Sequence, residues 1–270
     1  MKRYLIIMLL VLMPIPTLAI TAEEVVKNYY AAFYYAGSDL KAHVIMKLVN
    51  KEGKERIREL TMLRKNFGGE GGEQKYFIYF FQPADVRNMT FMVYKYPARN
   101  SDRWLYIPAL DMIRQIAATD ARSSFVGSDF TYEDVSGRNL TADTHRLLRE
   151  EKLGDRDCYV IESVPNEPID YIRRISWIDK NNYLPLKEEY YDVQNEVYRL
   201  FTADKIEEVL VTGKGQEQIK IPTITRRTMK NLKSGHRTEV AFITVDYNLG
   251  LKDDIFTERY LRNPPNEAIK

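Results

Sequence analysis

One cysteine, three histidines and two tryptophans in 270 residues are the scarce side chains of this sequence. With Cys158 alone no internal disulfide can form and no cysteine-based metal site can be assembled, so the fold must rely on its core, and Cys158 itself reads as a buried structural thiol. His43, His145 and His236 are far apart, and none stands in a ligand spacing such as His-Glu-x-x-His. A Gly-x-Ser-x-Gly elbow is missing as well, which removes the most recognisable serine-hydrolase signature. Beyond the first 19 residues there is no apolar run near the roughly 20 residues that a spanning helix needs. Charge of one sign is also lacking.

What is present starts with an export signal. Met1-Lys2-Arg3 precedes an apolar run from Leu5 to Ile15 and then Thr17-Leu18-Ala19, a charged start, apolar stretch and small-residue cleavage site. Residues 1–19 are therefore expected to be a signal peptide and residues 20–270 a single exported domain, soluble in the periplasm, with no cysteine at the cut to take a lipid. Removing Lys2 and Arg3 takes the basic count from 40 to 38, level with the 38 acids. A neutral surface makes nucleic acid a poor partner.

Thr21 with Glu24 forms a capping box, and Val25, Val26, Tyr29, Tyr30 and Phe33 follow at helical spacing until Gly37. From Leu40 to Val49 the period changes to two, and the residues Arg56 to Lys65 return as a hairpin partner. The glycine-rich stretch Gly68 to Gly72 lacks a following Gly-Lys-Ser/Thr and reads as a loop, not as a phosphate cradle. Tyr76 to Phe81 and Met89 to Tyr96 are apolar on both faces, so something must shield both sides, protein or ligand. Trp104 to Pro108 and Met112 to Ala117 come next. Seven further extended runs, 144–152, 157–164, 171–178, 183–191, 197–206, 219–230 and 239–247, arrive at hairpin spacing and predict a meandering antiparallel sheet. Asp253 to Leu261 reads as one short helix before Pro264-Pro265.

Between these strands lies Arg122 to Gly137, where Phe125, Phe130 and Tyr132 stand among Ser123, Ser124, Gly127 and Ser128. Three aromatics cannot stay in water without making an exposed patch, so the loop is anchored, either as a core-filling crossover or as a lid over a ligand. Ser123 and Ser124 beside Asp129 and Glu133 could suggest a nucleophile, yet no histidine is placed to serve them. Asp129, Glu133 and Asp134 lack the alternation of a calcium loop, and anchoring hydrogen bonds to loop amides are the expected use. No metal or cofactor is expected. The pairs Arg173-Arg174 and Arg226-Arg227 read as solvated strand ends, with lipid headgroup contact as the alternative.

The run RWLYIPALDMIRQI, then SSFVGSDFTYEDV, then DDIFTERYL near the C-terminus resembles the outer-membrane lipoprotein-sorting proteins, the LolA-like family of periplasmic carriers. That resemblance implies an α+β, mainly β fold: a strongly curved antiparallel sheet forming an unclosed half barrel, with helices against its concave face and an apolar cavity between. It also implies a monomeric, non-catalytic carrier of lipid or acylated lipoprotein, or alternatively a periplasmic sensor or an accessory subunit of an RND-type inner-membrane exporter. Strand alternation assigns the cavity wall to Met46, Phe77, Tyr79, Phe91, Val93, Trp104 and Tyr106. The gating loop is expected at Phe125, Gly127, Phe130 and Tyr132, where a glycine permits a turn among aromatics that need cover.

Overall fold

The computed structural model describes residues 20–69, 71–212 and 218–269; the expected leader lies outside the described residues. Helix α1 (Ala22–Tyr34) opens the described chain. The Thr21 hydroxyl accepts from the Glu24 amide at 3.2 Å and the Glu24 carboxylate accepts from the Thr21 amide at 2.9 Å, so two otherwise orphaned donors are satisfied reciprocally. Its buried face, Val25, Val26, Tyr29 and Tyr30, repeats at the spacing of one helical stripe.

Thirteen described strands form one antiparallel sheet. They are β1 (Asp39–Val49), β2 (Glu55–Phe67), β3 (Glu73–Gln82), β4 (Thr90–Lys95), β5 (Asp102–Ile107), β6 (Met112–Gln115), β7 (Asp143–Leu153), β8 (Arg156–Pro165), β9 (Arg173–Asp179), β10 (Pro185–Tyr191), β11 (Val197–Thr212), β12 (Gln218–Asn231) and β13 (Arg237–Tyr247). The order is β6-β5-β4-β3-β2-β1-β13-β12-β11-β10-β9-β8-β7. Two meanders are thus joined where the first strand pairs with the last, Leu40 opposite Tyr247 and Leu48 opposite Thr238. β6 and β7, consecutive in sequence, sit at the two edges. The residues between them, 116–142, must therefore cross the molecule.

Both faces of β2 to β4 are covered by the chain itself. On one face Val44, Met46, Leu60, Ile78, Phe80, Phe91 and Val93 pack under Phe125, Phe130 and Tyr132 of the crossover. On the other, Leu63, Phe77 and Met92 pack under Leu251, Ile255, Phe256, Leu261 and Ile269 of the C-terminal segment. This double cover is why those strands show no wet face. The tail itself corrects an expectation. In place of one helix over Asp253 to Leu261 it forms a single 3-10 turn (Asp253–Phe256), then α3 (Arg259–Arg262) and α4 (Asn266–Ile269), and each of the three pieces buries an apolar side chain on the sheet. Its backbone is held from beneath, with the Thr61 hydroxyl donating to the Ile269 carbonyl at 2.8 Å and Thr90 to Leu261 at 2.7 Å. Cys158 is fully buried beside Val160, Ile175 and Trp177, and burial pushes its thiol up, away from reactivity.

Candidate functional site

The apolar face under the crossover is the site that the chain builds with most care. Within residues 116–142 the Phe125 amide donates to the Phe130 carbonyl at 2.8 Å and the Ser128 hydroxyl donates to the Phe125 carbonyl at 2.8 Å, closing a tight hairpin. Val126 and Gly127 take φ of 50° and 78°, so the tip turns through the left-handed region, where glycine is at home and valine is not. A second capping box follows. Thr131 accepts from the Asp134 amide at 3.1 Å and Asp134 accepts from the Thr131 amide at 2.7 Å, opening the single helical turn α2 (Tyr132–Ser136). The spacing Thr131-x-x-Asp134 signals that turn in the sequence, although the reading above leaves the stretch as loop. Ser123 and Ser124 spend their hydroxyls on the carbonyls of Asp120 and Ser128 at 2.7 and 2.6 Å.

Hydrogen bonds tie the crossover to strands on both halves of the sheet. Arg58 of β2 donates to the Val126 carbonyl, and Lys95 of β4 donates to the Ser136 carbonyl at 2.7 Å. From the other half, Thr238 of β13 donates to the Asp129 carboxylate at 2.8 Å, and Arg199 of β11 pairs with Asp134 at 2.5 Å. The expected use of the acids is met by Asp134, which binds a loop amide, whereas Asp129 faces a strand hydroxyl and Glu133 pairs with Arg138 at 3.2 Å.

The face carries more buried charge than its apolar reading suggests. Arg64 donates to the Tyr34 and Ala36 carbonyls, satisfying the end of α1. Arg174 meets Glu188 at 3.6 Å. Arg227 sits among the rings of Phe242, Phe33 and Phe130, 5.1, 5.4 and 5.7 Å from their centroids. These positions correct the reading of both basic pairs as solvated ends. Arg226 is exposed and Arg173 partly so, while Arg174 is buried and Arg227 only partly accessible on the covered face, because adjacent strand residues point to opposite faces.

Burial pushes the Lys95 ammonium down to about 7, with Arg103 adding repulsion. Between about 7 and its ordinary value of 10.5 the folded state holds fewer protons than the unfolded one, so stability must rise with pH across that window. The expected slope is at most about 1.4 kcal/mol per pH unit, and the destabilisation is complete below about 7. Urea unfolding of the wild type and Lys95→Met at pH 7, 8 and 9 checks this: the wild type should gain on the variant as pH rises, and a constant difference would refute it.

The cavity-wall candidates divide between the two faces. Met46, Phe91 and Val93 lie under the crossover; Phe77, Tyr79, Trp104 and Tyr106 lie on the opposite face with the C-terminal segment. Sheet register explains the division, since Ile78 stands opposite Phe91 and Phe77 opposite Met92, which puts Phe77 and Phe91 on different faces. Phe125, Phe130 and Tyr132 lie together on the covered face, with Phe125 5.3 Å from Phe91 and 5.6 Å from Tyr132. Among the small cavities between crossover and sheet, two, of about 50 and 30 Å³, are both bordered by Met62, Val135, Phe242 and Arg227.

This architecture has solved relatives. The chain is similar to a DUF1329 family protein from Desulfovibrio piger (24% identity, TM-score 0.78, covering 89% of this chain and 97% of that one). It is also similar to a domain from Vibrio parahaemolyticus assigned as an outer membrane lipoprotein-sorting protein (26% identity, TM-score 0.77, 89% and 98%). A LolA superfamily protein from Nitrosomonas europaea shares the fold at 20% identity (TM-score 0.65, 90% and 100%). A family model described as "-like: Uncharacterized protein" matches residues 72–263. The chain belongs to the LolA-like family. No curated protein matches it in sequence. The LolA-like fold is represented here as a mainly β architecture with a single sheet and few helices, and no described helix is long and apolar enough to cross a membrane.

Proposed function

We propose that the protein is a periplasmic carrier that holds the acyl chain of a lipid or lipoprotein between the sheet and the crossover, and hands it on toward the outer membrane without chemistry. The observation that carries this reading is the apolar face closed by a separately anchored lid. A chain of roughly 14 to 16 carbons gains on the order of 11 to 13 kcal/mol from burial before entropy and reorganisation are subtracted, which is ample for capture. Ligand pockets are roughly 300 to 1,000 Å³. The two cavities of about 50 and 30 Å³ are far smaller, so loading requires the crossover to lift.

A strongly curved, unclosed half barrel with α1 on its concave side is the shape that suits this role, and helix contacts support it. Tyr29 donates to Glu188 of β10 at 3.2 Å, while the carbonyl of Tyr34 accepts from Gln74 of β3 at 2.8 Å. These two helix residues are separated by about 7.5 Å of rise. In a flat sheet β3 and β10, six spacings apart in the strand order, would stand about 29 Å from one another, and side chains close only part of that gap. A bend that brings both halves to one helix accounts for both bonds.

The smallness of the cavities favours a second reading, a sensor or exporter accessory subunit that never takes cargo. Photo-crosslinking with a diazirine fatty acid separates the two. A carrier should be labelled at Met46, Phe91, Val93, Phe125 or Phe130. Label confined to Phe77, Tyr79, Trp104 and Tyr106, or no label above a non-binding control, would sink the carrier reading.

A further inference from the structure

The buried cations of the covered face have acceptors, with one exception. Arg58, Arg64, Lys95 and Arg103 donate to backbone carbonyls, and Arg174 and Arg199 face Glu188 and Asp134. Among the described residues Arg227 has no hydrogen bond or ion pair through any of its nitrogens, whereas Arg58, Arg64, Arg103, Arg174 and Arg199 share with it only a buried, unpartnered Nε. Burial pushes its guanidinium down from the ordinary arginine value, with Tyr34 and Asp134 opposing the shift. Asp134 is the nearby anion, but its Oδ2 is already engaged by Arg199 and the Thr131 amide. Three aromatic rings compensate the charge only in part. Although protein surrounds it, Arg227 keeps accessible surface, and it borders both cavities. That combination marks a side chain facing internal space. An arginine stays charged at working pH, and its planar fork matches a carboxylate or a phosphate through two parallel hydrogen bonds. The rest of one cavity's wall is hydrocarbon, Val44, Met46, Leu60, Ile78 and Val240 among it, except for Asp134, whose Oδ2 is already held by Arg199 and the Thr131 amide.

We infer that Arg227 is an anion-recognising residue of this site, taking the carboxylate or phosphate head of a single-chain amphiphile while the hydrocarbon tail lies along the neighbouring sheet face. This rests on the carrier reading and adds a headgroup to it. A neutral amphiphile would leave the guanidinium unpaired, so the site should discriminate by head charge at equal chain length.

The test is displacement of cis-parinaric acid from the purified protein at pH 7.5 by dodecanoate, dodecyl phosphate and dodecanol. Wild type should prefer at least one anion over the alcohol by about tenfold or more, the strength of one charge-assisted hydrogen bond, and the better anion identifies the head. Arg227→Met should bind cis-parinaric acid more weakly and lose that preference, while the dodecanol affinity, corrected for the probe's own Kd in each protein, stays unchanged. Arg227→Lys should keep part of it. Equal displacement by all three competitors in the wild type, or a preference that survives in Arg227→Met, overturns the inference and leaves the carrier reading intact. Failure of the wild type to bind any of these chains overturns both. Far-UV circular dichroism limits the comparison to folded protein, and the wild-type preference decides the matter even if a variant does not fold.

Discussion

Truncating Phe125 to alanine is expected to lower the free energy of unfolding by about 3 to 5 kcal/mol, the cost of emptying a fully packed aromatic site. The ring is 3% exposed and lies 5.3 Å from Phe91, 5.6 Å from Tyr132 and 6.0 Å from Phe80, so its loss leaves a hole between crossover and sheet. Phe130, 8% exposed, borders the cavity and the Arg227 guanidinium, and its truncation should cost less because one side of the ring already faces space. The two variants should therefore separate docking of the crossover from the opening proposed for it. Phe125→Ala is read by urea unfolding, and a loss below about 1 kcal/mol would mean that the crossover is not docked as described. Phe130→Ala is read by release of a fluorescent fatty acid, which should quicken. Wild-type release from folded Phe130→Ala would end the gating role.

The second large effect is expected at Glu188. Its carboxylate accepts from Ser176 at 2.9 Å, Tyr190 at 3.1 Å and Tyr29 at 3.2 Å, and faces Arg174 at 3.6 Å, joining α1 to β9 and β10. Glu188→Gln keeps the shape but leaves the Arg174 charge buried without its counterion, which should cost about 3 to 5 kcal/mol. Replacing both partners, Glu188→Leu with Arg174→Met, should recover much of that loss, since the penalty lies in the unpaired charge more than in the missing bond. Urea unfolding of the three proteins decides it. A double variant no more stable than Glu188→Gln would show that the hydrogen bonds to the hydroxyls, not the charge, hold the helix.

Much of this organisation was legible beforehand. The alternation of Leu40, Ala42, Val44 and Met46 does bury one face of β1, and Thr21 with Glu24 does cap α1. Aromatic strands with no wet face do have two covers. Alternation also held the signal for the buried arginines, because in Arg173-Arg174 and Arg226-Arg227 the two members of each pair must face opposite ways. What alternation could not give was which member faces inward, or that Phe77 and Phe91 belong to different faces. Those depend on pairing register between strands, and a shift of one residue reverses every assignment.

Local chemistry by itself therefore determined the element types: capping pairs, period two, and turns fix backbone conformation within a few residues. Only the tertiary structure decided that β1 pairs with β13, that 116–142 must cross from one sheet edge to the other, and that Arg58, Lys95, Arg199 and Arg227 converge beneath it. The reason is physical. Strand pairing between residues 40 and 247 is set by the free energy of burying whole faces against α1 and the crossover, a sum over distant segments that no short window of sequence contains.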